Sequence, residues 1–182
     1  VMTHVTVVEI PSYDKLLVFS DAAVCPRPTD EQFKAILGYV LGVCRSLGAE
    51  SPKVALIHCT EKVSEKFPHT LSYESMKEMA RNGEYGDCCV DGPMDVKTAC
   101  DSDSGAIKGI SSPVVGNADA LILPNIESGN AFYKTLTLFA KAETAGMLCG
   151  TTAPIVVASR ADSGESKFNS LALACLADKV NK

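Results

Sequence analysis

Short apolar strands that alternate with longer helical segments constrain the fold of this chain more than any other feature of its sequence. Largely apolar runs at residues 54–58, 88–90, 120–123 and 154–158 predict four strands. Strands that are apolar on consecutive residues are typical of parallel sheets covered by helices. With the helices between them, they predict an α/β fold, a three-layer α/β/α sandwich with a mostly parallel sheet.

Turn and capping residues indicate where the other elements lie. Residues 5–10 and 16–20 predict two adjacent strands joined by a turn, so one mixed or antiparallel pair is expected at the start. Thr29 or Asp30 caps a helix that Gly48 ends. Further helices are predicted over residues 71–81, 94–100, 128–145 and 163–179, with a polar loop at 101–104. We expect residues 1–182 to form a single α/β domain.

Charge and hydropathy exclude some partners. The formal net charge of -5 argues against a broad basic face for nucleic acid, but it leaves room for a local cationic pocket. No apolar run approaches the roughly 20 residues needed to cross a bilayer, and no secretion signal opens the chain. We therefore expect no nucleic-acid and no membrane partner. Because Val1 leads at once into a strand-like run, we also expect a longer parent protein.

The eight cysteines leave two interpretations open. A disulfide framework is typical of short secreted chains, whereas cysteines in apolar stretches behave as small apolar residues. None of the eight forms the C-x-x-C pattern of zinc or redox sites. Six lie in apolar stretches, namely Cys44, Cys59, Cys88, Cys89, Cys149 and Cys175. This distribution favours reduced thiols and predicts a cytoplasmic protein.

The loop after the last predicted strand has the most informative polar residues. There Ser159 and Arg160 are expected to lie just before a helix that begins near Asp162 and Ser163. A helix N-terminus favours an anion, and an arginine adds a bidentate fork suited to phosphate. The alternative is an ordinary cap beside a surface charge. Taken alone, the loop does not decide between these interpretations.

Two other loops have the same form. After the strand at 120–123, Asn125 and Asn130 can donate or accept hydrogen bonds, Gly129 allows a close approach, and Lys134 follows one helical turn later. A capped helix entry is again the alternative. The Asp91-Gly92 pair is a weaker candidate because it also forms ordinary turns.

Metal and nucleotide sites have little support in the sequence. The three histidines, His4, His58 and His69, have no cysteine or carboxylate at ligand spacing. The sequence has no G-x-S-x-G, P-loop or G-x-G-x-x-G motif.

Around these loops the sequence resembles the phosphate acetyl/butyryltransferase family over nearly the whole chain. The matching stretches are residues 11–17, 20–23, 91–93, 112–119, 124–130 with 133–134, 153–156 and 159–163. The blocks PSYDKLL and SRADS are closer to the butyryl branch than to the acetyl branch.

The resemblance implies an isocitrate/isopropylmalate dehydrogenase-like fold and a two-domain, usually dimeric enzyme, of which this chain is the C-terminal domain. Such an enzyme converts an acyl-CoA and phosphate into acyl phosphate and coenzyme A. The implied partners are thus a coenzyme A thioester, inorganic phosphate and a second copy of the chain. No metal or prosthetic group is implied, because coenzyme A is a substrate and neither half-reaction is a redox step.

Roles are carried over from the family to matching positions. Ser159 would stabilise developing charge and Arg160 would bind phosphate or coenzyme A. The base that activates the thiol would be Asp162 or Glu165, because Ser166 falls where the acetyl branch has an aspartate. The expected substrate-binding residues are Asp91, Gly92, Asn125, Glu127, Gly129, Asn130, Lys134 and Ser163.

Two other functions stay open. A metal-dependent dehydrogenase of the isocitrate class would need a cluster of aspartates and a nucleotide site, and neither is visible in the sequence. A non-catalytic module that binds coenzyme A or dimerises is harder to exclude.

Overall fold

A computed structural model describes residues 1–159 and 162–181 of the chain. The strands are β1 (Thr3–Glu9), β2 (Leu17–Ser20), β3 (Lys53–Ile57), β4 (Cys89–Met94), β5 (Ala120–Ile122) and β6 (Glu143–Cys149). The helices are α1 (Asp30–Ser46), α2 (His69–Arg81), α3 (Val96–Cys100), α4 (Ser102–Lys108), α5 (Ile126–Phe139) and α6 (Gly164–Leu176), followed by a 3-10 helix (Asp178–Asn181).

All six strands form one sheet in the order β4-β3-β5-β2-β1-β6. The pairs β3–β4, β3–β5 and β2–β5 are parallel, whereas β1 is antiparallel to both of its neighbours, β2 and β6. The predicted α/β fold with a mostly parallel sheet is confirmed. β1 forms an antiparallel pair on each side, one more than the sequence predicted.

Alternating side chains of the strands build a core on each face of the sheet. Val54 and Leu56 pack with residues of α1, α2 and α6, whereas Ala55 and Ile57 pack on the opposite face with residues of α3 and α5. This alternation follows from the two-residue period of a strand. Helices therefore cover both faces of the sheet.

Local caps explain two helix boundaries. Thr29 accepts a hydrogen bond from the Gln32 amide while the Gln32 side chain accepts one from the Thr29 amide, a capping box at the start of α1. Asp101 accepts a hydrogen bond from the Ser104 amide and so begins α4, where the sequence predicted only a polar loop. The prediction overlooked this cap.

The predicted helix over residues 128–145 and the predicted strand over 154–158 were wrong in part. The helix ends at Phe139, and β6 follows after Lys141, which has a positive φ of 51°. β6 pairs with β1 along all seven residues. The 154–158 segment has a single bridge, from Ile155 to Leu148. Residues 143–149 have only a weak local preference for a strand. Their pairing with β1, which is distant in the sequence, makes them one.

Among the described helices, none is long and apolar enough to cross a membrane.

Candidate active site

A cavity of about 200 Å³ opens on the face of β1 and β6 that α5 covers. The irregular segment after β6 closes its other side. The loop after β2 and helix α6 also contribute to the lining. The lining residues are His4, Thr6, Ala22, Ala23, Asn130, Tyr133, Lys134, Thr144, Ala145, Gly146, Val157, Ala158, Ser159, Asp162 and Ser170. Four residues expected from the sequence, Asn130, Lys134, Ser159 and Asp162, thus lie around one cavity.

The buried carboxylate of Asp21 shapes the loop at the floor of this cavity. One carboxylate oxygen accepts hydrogen bonds from the amides of Ala23 and Val24, at 2.7 and 2.9 Å. The other accepts from the Thr3 hydroxyl at 2.6 Å and from the amides of His4 and Cys25 at 3.0 and 3.1 Å. Five donors therefore hold the loop after β2 against the start of β1.

The first turn of α5 packs onto that loop. Asn125 caps the helix by accepting a hydrogen bond from the Ser128 amide. Gly129 lies against the main chain of Asp21, and the Asn130 side-chain amide donates to the Ala22 carbonyl at 3.2 Å. The exposed Glu127 lies in the same turn but does not line the cavity. These contacts direct the next turn, with Tyr133 and Lys134, towards the cavity.

Asp162 is held at the cavity wall by two donors. The Tyr133 hydroxyl donates to Oδ1 at 2.8 Å, and the Ser159 amide donates to Oδ2 at 2.6 Å. The Asp162 amide in turn donates to the Ser159 carbonyl at 3.1 Å. Burial, and then the nearby Asp162 carboxylate, raise the pKa of Tyr133, so the phenol keeps its proton.

His4 is a lining residue that the sequence did not single out. Its imidazole lies over Gly146, where an added Cβ would be 2.6 Å from His4 Cε1. Its Nδ1 is 3.2 Å from the Thr6 hydroxyl, and the ring also hydrogen-bonds the Val157 backbone. Burial lowers the pKa of His4, although the carboxylates of Asp21 and Asp162 oppose this shift. The available signal was the strand period, which puts His4 and Thr6 on one face.

A second, more open depression of about 490 Å³ adjoins the cavity. Four residues line both spaces, namely Tyr133, Lys134, Thr144 and Asp162. The Tyr133–Asp162 hydrogen bond therefore forms part of the wall between them. The depression also includes Ser163, which caps α6 by accepting from the Ser166 amide at 3.0 Å.

Other expected residues lie elsewhere. Asp91 and Gly92 belong to β4, at the opposite edge of the sheet from β6, where the Lys77 ammonium donates to the Gly92 carbonyl at 2.6 Å. Glu165 lines a separate depression with Glu9 and Glu143. Arg160 lies outside the described residues. The roles assigned to these residues stay predictions.

Within residues 1–159 and 162–181, no group of three or more His, Cys, Asp or Glu side chains is arranged to hold a metal ion.

Comparison with known proteins links this arrangement to one family. Residues 1–175 match the family model described as "Phosphate acetyl/butaryl transferase". A phosphate butyryltransferase from Clostridium acetobutylicum is 40% identical over 175 residues, which are 96% of this chain and 58% of the relative. A phosphate acetyltransferase from Thermotoga maritima is 39% identical, over 96% of this chain and 60% of the relative.

A solved structure gives the same result. The branched-chain phosphotransacylase from Enterococcus faecalis V583 superposes with a TM-score of 0.86 at 34% identity, over 97% of this chain and 63% of that one. The chain thus spans about 60% of the length of the curated relatives it matches.

Proposed function

Because the chain belongs to the phosphate acetyl/butyryltransferase family, we propose that it supplies one wall of an active site for reversible acyl transfer between coenzyme A and phosphate. In one direction an acyl-CoA and phosphate give acyl phosphate and free coenzyme A. The names of the two relatives, at 40% and 39% identity, support a phosphate acyltransferase of the butyryl or acetyl type.

One observation carries the proposal, namely the Asp162 carboxylate at the wall of a cavity with Ser159 and Lys134 beside it. Acyl transfer to coenzyme A needs a base for the thiol, whose pKa is near 8.5 when free. It also needs donors for the oxyanion and positive charge for the phosphate. The cavity brings a carboxylate, a seryl residue and an ammonium to one place.

In the direction that consumes acyl phosphate, Asp162 takes the proton of the coenzyme A thiol. The thiolate sulfur then bonds to the acyl carbon while the π electrons of the carbonyl move onto its oxygen. Ser159 stabilises the resulting oxyanion. When the carbonyl re-forms, the bond from carbon to the bridging oxygen breaks and phosphate leaves with the electron pair. Arg160 and Lys134 provide positive charge for the phosphate or for coenzyme A, the former by resemblance alone.

Asp162 is the preferred base among the candidates. It lines the cavity together with Ser159, whereas Glu165 lines a different depression. Ser166 cannot act as a carboxylate base, and its amide is used by the Ser163 cap.

The acyl group is proposed to be short, with butyryl preferred. Much of the cavity of about 200 Å³ is lined by small or apolar residues, namely Ala22, Ala23, Ala145, Gly146 and Val157. Such a wall suits a chain of a few carbons better than a polar group.

Further expectations about the domain, the oligomeric state and the cellular location accompany this proposal. The chain is one domain, the C-terminal one, of a two-domain enzyme with an isocitrate/isopropylmalate dehydrogenase-like fold, consistent with the helices on both faces of its sheet. The enzyme is a homodimer, and the exposed apolar side chains Phe168 and Leu171 of α6 are available for a second copy. The protein works in the cytoplasm, consistent with Cys44 and Cys149 packed as buried free thiols in the core.

Phosphate-dependent thiol release tests the function. The protein that contains this chain is incubated with butyryl-CoA or acetyl-CoA, with and without inorganic phosphate, and free thiol is measured with a thiol-reactive dye. We expect release only with phosphate, and faster release from butyryl-CoA. No release from the folded protein would reject the acyltransferase and favour a coenzyme A-binding module. Arg160→Ala should lower turnover by orders of magnitude while the fold is kept.

A further inference from the structure

Tyr133 is the only side chain of the described residues found to donate a hydrogen bond to Asp162. The phenol oxygen lies 2.8 Å from Oδ1, while Oδ2 accepts from the Ser159 amide at 2.6 Å. An ionised carboxylate has about four lone-pair sites, and these two hydrogen bonds from described residues use one on each oxygen. Together they fix the direction of the carboxylate.

Tyr133 is itself held in place. Its oxygen lies 3.4 Å from the Thr144 hydroxyl of β6, and Lys134 Nζ lies 4.9 Å from the centroid of its ring. The helix that carries it is anchored to the loop after β2 through Gly129 and Asn130. A rigid donor of this kind can orient a carboxylate because its own position is fixed by packing.

Three described titratable groups line the cavity beside the Asp162 carboxylate. They are Tyr133 and Lys134 from α5 and His4 from β1. Burial lowers the pKa of His4, and the buried Asp21 carboxylate opposes this shift. Because burial and the carboxylate raise the pKa of Tyr133, the phenol donates to Asp162 as a neutral group.

We propose that Tyr133 is a positioning residue that orients the Asp162 carboxylate for proton transfer from the thiol. The proposal rests on the proposed function, since it takes Asp162 as the base. It adds a residue whose hydroxyl contacts the base. The phenol fixes Oδ1 through its hydrogen bond of 2.8 Å.

The test is the comparison of kcat and KM for acyl transfer in Tyr133→Phe, with the whole protein, butyryl phosphate and coenzyme A. We expect kcat to fall about tenfold, because the orientation of the carboxylate is lost. KM for coenzyme A should stay within about twofold, because phenylalanine keeps the ring that lines the cavity.

Tyr85→Phe is the matched control. The Tyr85 hydroxyl donates to the Lys34 carbonyl at 3.1 Å, remote from the cavity. Its removal should leave both kcat and KM unchanged. A kcat in Tyr133→Phe within about twofold of wild type, or a KM that rises as much as kcat falls, would overturn the proposal. A wild-type protein without acyl transfer would instead reject the proposed function.

A second measurement needs no activity. The ionisation of Tyr133 is followed by its absorbance at high pH, with Tyr133→Phe as the baseline. Because the carboxylate helps to raise the phenol pKa, Asp162→Asn should lower it. An unchanged phenol titration in Asp162→Asn would mean that the contact is absent in solution, and the proposal would be wrong.

Discussion

Gly129 of α5 packs directly onto the main chain of Asp21. An added Cβ at Gly129 would lie 2.0 Å from the Asp21 carbonyl oxygen, a distance that no packed structure tolerates. The glycine therefore lets the first turn of the helix reach the loop that forms the floor of the cavity.

Gly129→Ala should lower the free energy of unfolding by about 3 kcal/mol, because the helix must move away from backbone atoms that cannot yield. Urea unfolding followed by circular dichroism measures this change. Gly38→Ala, within α1, is the control, since its Cβ would meet only Tyr85 Cε1 at 3.8 Å. That variant should gain about 0.5–1 kcal/mol. Equal stability of the two variants would contradict the close packing.

Asp21→Asn tests the hydrogen bonds that five donors make to the Asp21 carboxylate. The new amide group replaces one carboxylate oxygen, so at least two donors lose their acceptor. We expect the free energy of unfolding to fall by about 3 kcal/mol, measured by urea unfolding at neutral pH. The exposed Asp14→Asn should stay within about 0.5 kcal/mol of wild type. A similarly small effect at Asp21 would mean that these five hydrogen bonds contribute little to the free energy of unfolding.

Lys77→Met tests the other edge of the sheet. Lys77 is buried, and its ammonium donates to the Gly92 carbonyl at 2.6 Å. Methionine fills a similar volume but leaves that carbonyl without its donor, so the free energy of unfolding should fall by about 2 kcal/mol. Thiol release per folded molecule should be little changed, because β4 lies at the edge opposite β6.

The exposed Lys66→Met is the control for this change and should leave stability within about 0.5 kcal/mol. If Lys77→Met instead raised KM strongly without loss of stability, this edge would have to bind substrate, as the sequence suggested for Asp91 and Gly92.

The paired imidazoles of His58 and His69 make stability depend on pH. His69 Nε2 lies 3.1 Å from His58 Nδ1, and burial followed by the His58 charge lowers the pKa of His69 to about 4. An unfolded histidine takes up its proton near pH 6.5. The free energy of unfolding should therefore fall as the pH is lowered from about 6.5 towards 4, since the unfolded state binds more protons.

His69→Gln should make this fall smaller, as measured by urea unfolding at pH 7 and pH 5. Lys66→Gln, in the loop just before α2, should keep the wild-type difference between the two pH values, because lysine does not titrate in this range. An identical fall in His69→Gln and wild type would show that the histidine pair does not carry the effect.

The sequence predicts elements well where the signal is local. The apolar spacing of α1 and its cap at Thr29 predict that helix almost to its ends. β6 has no such signal, because its residues become a strand only through pairing with β1, nearly 140 positions earlier. The predicted helix over 128–145 extended into β6 for this reason.

The same division applies to the candidate site. Four residues that the sequence predicts from its polar loops line one cavity, namely Asn130, Lys134, Ser159 and Asp162. His4, Asp21 and Tyr133 were missed as site residues, since their roles depend on which strands become neighbours. No local pattern reports that β1 lies between β2 and β6.

That central place of β1 has a consequence for how the protein is made. Thr3 pairs with Cys149, so the cavity joins a strand near the start of this chain to one that is translated about 146 residues later. Loop closure over such a distance costs entropy before any contact offsets it, and contacts of long sequence separation slow folding. During synthesis, β2, β3, β4 and β5 can associate while the ribosome still holds β6. The wall of the cavity is therefore completed only after most of this chain has emerged.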